Sequence, residues 1–322
     1  MAEPAEADWT AAVDLLNAAR DVLLIAHINP DADTVGSALA LGMVLRRRGV
    51  QVAVSFAEPA TVPDSLAGLD TEGLLVPPGS VSSADLVVAL DTSSLDRLGS
   101  LASFMPAARA TLVIDHHVSN TFFGTHHLVD GSAEATVVLV MDLLDRLGEP
   151  LDAAVARCLY AGLVTDTSGF QRAAPSTHLR AARLIEAGVD PAPLTRSLTG
   201  SHSFGWLEML SAVLGRAVLL PSAAGGRGLV YTVVRNDDVA GLAPDEVESV
   251  VDIVRTAREA EVCAVLKELQ PGRWAVSLRA VSAVDVRAIA VSRDGGGHRL
   301  AAGFSVVGTE EEAVAEVLAA IG

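Results

Sequence analysis

Four apolar runs punctuate the first part of the chain, in "DVLLIAH" (21–27), "VAVSF" (52–56), "DLVVALD" (85–91) and "TLVIDHH" (111–117). Each is continuous rather than alternating, the pattern of a strand buried on both faces. After the first run, "DTVGSALALGMVLRRRGV" repeats its apolar positions with helical period for about four turns and closes at Gly49, a C-cap position. Helical patterns return between Glu134 and Gly148, in "LDAAVARCLYAGLVTDTSGF", where the helix runs into a polar loop, and in "STHLRAARLIEAG", closed by Gly188. Strands alternating with helices predict an α/β domain built on a doubly wound, mostly parallel sheet.

The pattern changes after "VDPAPLTRSLTGSHSFGW". Strand-like "GLVYTVVRNDD", helical "DEVESVVDIVRTAREAE" and two runs joined at Pro271-Gly272, a hairpin signal, follow. This predicts a domain over 1–195, a linker over 196–210 and a smaller α+β domain over 211–322, with an active site in the cleft between the two domains.

Composition narrows the function. Of 322 residues, 50% are hydrophobic and 20% charged, which is globular rather than disordered. No run of about 18 apolar residues exists to cross a membrane. The opening "MAEPAEADWT" lacks the basic start of a secretory signal. Cys158 and Cys263 sit in apolar settings without CxxC spacing, so neither a disulfide framework nor a thiolate zinc site is expected, and a cytoplasmic location fits. A net charge of −17 argues against tracking long nucleic acid, which needs a basic groove. The one basic run, "RRR" at 46–48, reads as a helix end complementing the dipole. Small phosphorylated ligands stay open, because a bound metal supplies positive charge locally.

The candidate chemistry lies where the strong strands end. His27, Asp31 and Asp33 follow the first, Asp91 follows "LVVAL", and Asp115, His116 and His117 follow "LVI"; "GLVTDTSGF" adds Asp166 from a loop. Ligands of parallel sheets gather at the carboxyl ends of strands, so these groups converge if the strands are neighbours. Helix capping is the alternative for Asp33 and Asp91. His126, His127, His178 and His202 read as structural or exposed. Imidazoles with carboxylates and no thiolate suit Mn²⁺, with Fe²⁺ or Co²⁺ as substitutes, better than zinc or magnesium. His27, His116, Asp31, Asp33, Asp91 and Asp166 are too many ligands for one ion that must also bind substrate; two ions about 3.5–4 Å apart account for them. Farther on, alternation in "WAVSLRAV" puts Ser277 and Arg279 on one strand face, where a guanidinium suits phosphate. Gly295–Gly297 before His298 make a plausible anion nest.

"HINPDAD", "ALDTS", "DHHVSN" and "VTDTSGF" resemble the four motifs of the DHH phosphoesterases, and "GGGHRLAAGF" (295–304) resembles the signature of their associated C-terminal domain. The form "HxNPDAD" with "GGGH" is similar to the NrnA-type subgroup of nano-RNases and 3′-phosphoadenosine 5′-phosphate (pAp) phosphatases. The resemblance implies one Mn²⁺ on His27, Asp31 and Asp91 and a second on Asp33, Asp91, His116 and Asp166, with Asp91 bridging. It implies that Asp115 supports the histidines, that His117 faces the substrate phosphate, and that Ser277, Arg279, Gly295, Gly296, Gly297 and His298 bind substrate, commonly in a homodimer. Departures occur at Ser168, where the family often has Gly, and at Gln171, where it commonly has Arg; Arg172 follows instead.

The expected reaction is Mn²⁺-dependent hydrolysis of short oligoribonucleotides and pAp, by a metal-bridged hydroxide attacking phosphorus, with Asp91, Asp115 and His117 as catalytic residues. The alternative is a cyclic di-AMP or linear dinucleotide phosphodiesterase. A manganese pyrophosphatase and a non-catalytic nucleotide sensor are further alternatives.

Overall fold

The computed structural model describes residues 3–322 and divides into two units, one ending at Ser201 and one beginning at His202. In the first, the four apolar runs form β1 (Asp21–Ile25), β2 (Gln51–Ser55), β3 (Leu86–Leu90) and β4 (Ala110–Asp115), joined by an edge strand β5 (His126–Val129). All pair in parallel, in the order β2-β1-β3-β4-β5. The continuity of the runs has its cause here. Val22 and Leu24 face one apolar core, while Leu23 and Ile25 face a second on the opposite side, with Leu98, Leu101 and Met105.

Helices α1 (Glu6–Ala18) and α2 (Ala32–Arg47), single-turn α3 (Asp64–Ala67) and α4 (Phe104–Ala107), then α5 (Thr136–Arg146), α6 (Ala153–Asp166), α7 (Pro175–Glu186) and α8 (Pro191–Thr199) complete this unit. From Ala32 to Leu45, α2 is wholly buried, and α6 crosses it closely. Two glycines permit the approach. A Cβ on Gly36 would lie 2.4 Å from the Cys158 carbonyl oxygen, and one on Gly162 would lie 2.7 Å from Asp33 Oδ1. The crossing sets the last turn of α6 beside the first turn of α2, so Asp166 arrives as the last residue of a helix rather than from a loop.

The second unit contains α9 (Phe204–Gly215), β6 (Val218–Leu220), single-turn α10 (Ala223–Gly226), β7 (Leu229–Val234), α11 (Pro244–Glu248), α12 (Val250–Val254), β8 (Val262–Gln270), β9 (Arg273–Ala280), α13 (Val286–Val291), β10 (Gly296–His298), β11 (Ala301–Val307) and α14 (Glu310–Ile321). Its mixed sheet runs β10-β11-β9-β8-β7-β6, with β7 and β8 parallel and the remaining pairs antiparallel. Gly272, at φ +74°, turns the β8–β9 hairpin.

Local structure adds to the sequence reading at three further places. The stretch 196–210 is largely helical, because α8 runs to Thr199 and Ser203 caps α9 by accepting the Trp206 N–H. The helix read over "DEVESVVDIVRTAREAE" is two short ones. At the break, the Ser249 hydroxyl (2.6 Å) and the Trp206 indole N–H (3.0 Å) both donate to the Glu246 carbonyl, diverting it from the helical ladder. The run Gly295–Gly297 leads into a hairpin strand. Gly296–His298 pair with Ala301–Gly303, and a Cβ on Gly295 or Gly297 would lie 2.2 Å from Gly303 O or 2.6 Å from Ala301 O.

Candidate metal centre

Because β1, β3 and β4 are consecutive neighbours, the residues at their carboxyl ends meet. His27 Nε2 lies 3.4 Å from Asp91 Oδ2 and 3.7 Å from Asp31 Oδ2, while His116 Nε2 lies 3.5 Å from Asp91 Oδ1 and 3.3 Å from Asp166 Oδ2. The donor atoms of His27, Asp31 and Asp91 lie within 4.8 Å of one another, as do those of Asp33, His116 and Asp166, and those of Asp91, His116 and His117. Asp91 therefore turns one oxygen to each side of the cluster.

Each side chain is aimed by a partner. His27 Nδ1 donates to the Ile28 carbonyl at 2.8 Å, which points Nε2 at the acids. Asp31, not Asp33, is the N-cap of α2: its Oδ1 accepts the N–H groups of Asp33 and Thr34 at 3.0 Å each, and its side chain is 53% exposed. Asp33, fully buried, accepts from Thr136 N (2.6 Å) and Val137 N (2.9 Å) in the first turn of α5, where the helix dipole favours an anion. Thr136 Oγ1 donates to Asp91 Oδ1 at 2.9 Å. Asp91 itself sits at φ +55°, a left-handed backbone in which Asp is among the better tolerated residues.

The two adjacent histidines have different supports. His116 Nδ1 donates to Ala133 O at 3.2 Å, whereas His117 Nδ1 meets the fully buried Asp115 carboxylate at 2.6 Å. Asp115 also accepts from Asn120 Nδ2 at 2.6 Å, and Asn120 donates to Thr92 O. Asp115 thus orients His117.

Electrostatics sets what the cluster can hold. Burial alone would lower the pKa of His27, but its contacts with Asp31 and Asp91 outweigh that and push it up to about 10. Burial, reinforced by Asp91 and Asp166, raises Asp33 well above the ordinary carboxylate range; burial with Asp31 and Asp91 does the same to Asp166. Burial opposes ionisation of Asp91 too, yet His27, His116 and His117 hold it well below the usual value. Without a cation the cluster must retain protons; imidazole nitrogens and carboxylate oxygens with no thiolate fit divalent ions in their place. His27 keeps its proton below pH about 10, so an ion taking Nε2 displaces it, and affinity rises with pH across the neutral range. Calorimetry in buffers of different ionisation enthalpy should register at least about one proton released on loading.

Sequence reasoning missed Thr136 and Arg97, and gave Asn120 and Arg172 no role beyond their place in the motifs. Arg97 Nη2 lies 3.1 Å from His27 Nδ1, and Arg172 Nη2 donates to the Asp166 carbonyl at 2.6 Å. A threonine opening a helix and an arginine six positions after Asp91 carry no signal of their own. The remaining candidates belong to the second unit. Ser277 and Arg279 alternate onto one face of β9, opposite Val265 and Cys263 on β8, and His298 lies exposed on β10. Burial lowers the Arg279 pKa, with Asp252 and Glu248 opposing, and its Nη1 donates to Leu278 O.

A buried imidazole–carboxylate cluster at the carboxyl edge of a parallel sheet defines a metal-dependent hydrolytic centre. The DHH family N-terminal domain matches residues 21–163 and the DHHA1 domain matches residues 225–322. The chain belongs to the DHH family of phosphoesterases. It is 31% identical, over 96% of its length and 91% of the relative's, to the bifunctional oligoribonuclease and PAP phosphatase NrnA of Thermus thermophilus. A probable bifunctional oligoribonuclease and PAP phosphatase of Streptococcus mutans is 24% identical over 88% of each chain. An exopolyphosphatase-related protein from Bacteroides fragilis shares the fold, with a TM-score of 0.89 at 23% identity, covering 98% of this chain and 96% of that one.

Proposed function

We propose that this protein is a two-ion, Mn²⁺-dependent phosphoesterase that hydrolyses short oligoribonucleotides and pAp. The observation carrying the proposal is Asp91, with one oxygen toward His27 and the other toward His116. In this reading His27, Asp31 and Asp91 hold one ion, and Asp33, Asp91, His116 and Asp166 hold the other. When bound, the ions supply Lewis acidity toward a water nucleophile and a phosphoryl oxygen.

The chain's own groups do the rest. His117, fixed through Nδ1 by Asp115, presents its ring toward charge developing on the phosphoryl oxygens. Arg279, Ser277 and His298 grip a substrate phosphate; support comes from the shared face of Ser277 and Arg279 and from a half-buried guanidinium with no carboxylate within ion-pair distance among the described residues. The glycines of 295–297 allow the β10–β11 hairpin that carries His298. A net charge of −17 fits short substrates better than a long strand. Two buried, unpaired cysteines whose thiols are pushed up to about 12 by burial fit a cytoplasmic setting, and a homodimer belongs to the same reading.

The test is a Mn²⁺-supplemented turnover panel of RNA dimers to pentamers, pAp, cyclic di-AMP and pyrophosphate. Turnover of RNA dimers and pAp is expected. Preferential cleavage of cyclic di-AMP would move the assignment to a cyclic-dinucleotide phosphodiesterase, and cleavage of pyrophosphate alone would overturn it.

A further inference from the structure

Arg97 belongs to a 3-10 segment (Leu95–Ser103) that follows Asp91, and its carbonyl accepts the Ile28 N–H at 2.8 Å. The segment is thereby stitched to the loop that carries His27. The Arg97 guanidinium stands 3.1 Å from His27 Nδ1, yet Nδ1 is also 2.8 Å from the Ile28 carbonyl. An imidazole that offers Nε2 to an ion must carry its proton on Nδ1, and that proton goes to Ile28 O. A donating Nδ1 cannot accept from a guanidinium, so in this tautomer the contact with Arg97 is packing without a hydrogen bond.

Arg97 has no carboxylate either. Among the described residues none lies within ion-pair distance of it, although the chain has 40 acidic residues against 23 basic ones. Arginines elsewhere in this unit do pair: Arg146 with Glu6, Arg180 with Asp142, Arg183 with Asp145. Arg172, at the opposite end of the cluster, is committed to the Asp166 carbonyl. A half-buried guanidinium kept off acids and held beside a metal-ligating imidazole offers its donors to an anion.

We propose that Arg97 is a ligand for a phosphoryl group of the nucleotide substrate, on the His27 side of the centre. This rests on the phosphoesterase reading above. The experiment uses the full chain with Arg97→Gln and Arg97→Lys, each shown to unfold at the wild-type temperature. Mn²⁺ affinity and 5′-AMP binding are measured by calorimetry, and KM and kcat with pAp and with an RNA dimer bearing or lacking a 5′-phosphate.

Arg97→Gln should keep Mn²⁺ affinity within about twofold, weaken 5′-AMP by about tenfold or more and raise KM in step, as expected for losing a charge-assisted hydrogen bond. Arg97→Lys should recover part of the loss. A KM effect confined to 5′-phosphorylated substrates assigns Arg97 to the terminal phosphate; an equal effect on both dimers assigns it to the scissile one. Unchanged 5′-AMP binding, no binding by the wild type, or a parallel fall in Mn²⁺ affinity overturns the proposal. Because 5′-AMP binding needs no turnover, failure of the phosphoesterase reading would show separately, as absent hydrolysis by the wild type.

Discussion

Replacing Asp91 by Ala is expected to abolish phosphoester hydrolysis, with kcat/KM falling on the order of a thousandfold or more. Asp91 faces both His27 and His116, with one oxygen toward each. In the two-ion reading its removal takes a ligand from both halves, and it leaves the buried Thr136 hydroxyl without its acceptor. The backbone at φ +55° adds a separate cost, because Ala tolerates the left-handed region less well than Asp or Asn. Asp91→Asn separates the two effects. It keeps the volume and a backbone-compatible residue while losing the anionic oxygens, so it should fold like the wild type and remain inactive. Substantial Mn²⁺-dependent turnover by Asp91→Asn, measured on an RNA dimer, would contradict a bridging role.

The second large effect is expected from a single methyl group. Gly162→Ala places a Cβ 2.7 Å from Asp33 Oδ1, 2.7 Å from Val137 Cγ1 and 2.8 Å from Asp33 Cα. The first turns of α2 and α5 must yield together, and those turns hold Asp33 between them. Overpacking of this kind costs about 1–3 kcal/mol of stability, and the displaced carboxylate should also weaken ion binding. Thermal unfolding and Mn²⁺ affinity should therefore both decline. As a comparison, Gly148→Ala also destabilises, through its φ of +73°, but no atom lies within 4 Å of its Cβ and its Mn²⁺ affinity should be retained. Equal loss of ion affinity in both variants would remove the steric link between Gly162 and the centre.

These contacts mark the boundary of what the sequence discloses. The strands ending at Ile25, Leu90 and Asp115 are legible because two cores demand apolar residues on both faces, leaving unbroken runs. The cluster of acids and imidazoles is legible because most of its members stand soon after those runs. β5 is hidden because its four residues open with two half-buried histidines. The helices across 196–210 are hidden by prolines and serines that read as a linker but serve as helix starts. The break at Ser249 depends on Trp206, which lies 43 positions away. The groups that aim these side chains are mostly backbone atoms, such as Ile28 O, Ala133 O and the N–H groups of Thr136 and Val137. Any residue can supply them, so no side-chain pattern announces them. The same holds for Arg97, set apart by its place beside His27 with no carboxylate within ion-pair distance among the described residues.

The central claim is a pair of ions sharing Asp91, and counting ions tests it most directly. Calorimetric titration of the metal-stripped protein with Mn²⁺ should reach two ions per chain in the wild type. In Asp91→Asn, at the same protein concentration and pH, neither ion should bind with wild-type affinity. A wild type that saturates at one ion, or an Asp91→Asn chain that still takes two with unchanged affinity, would contradict the account.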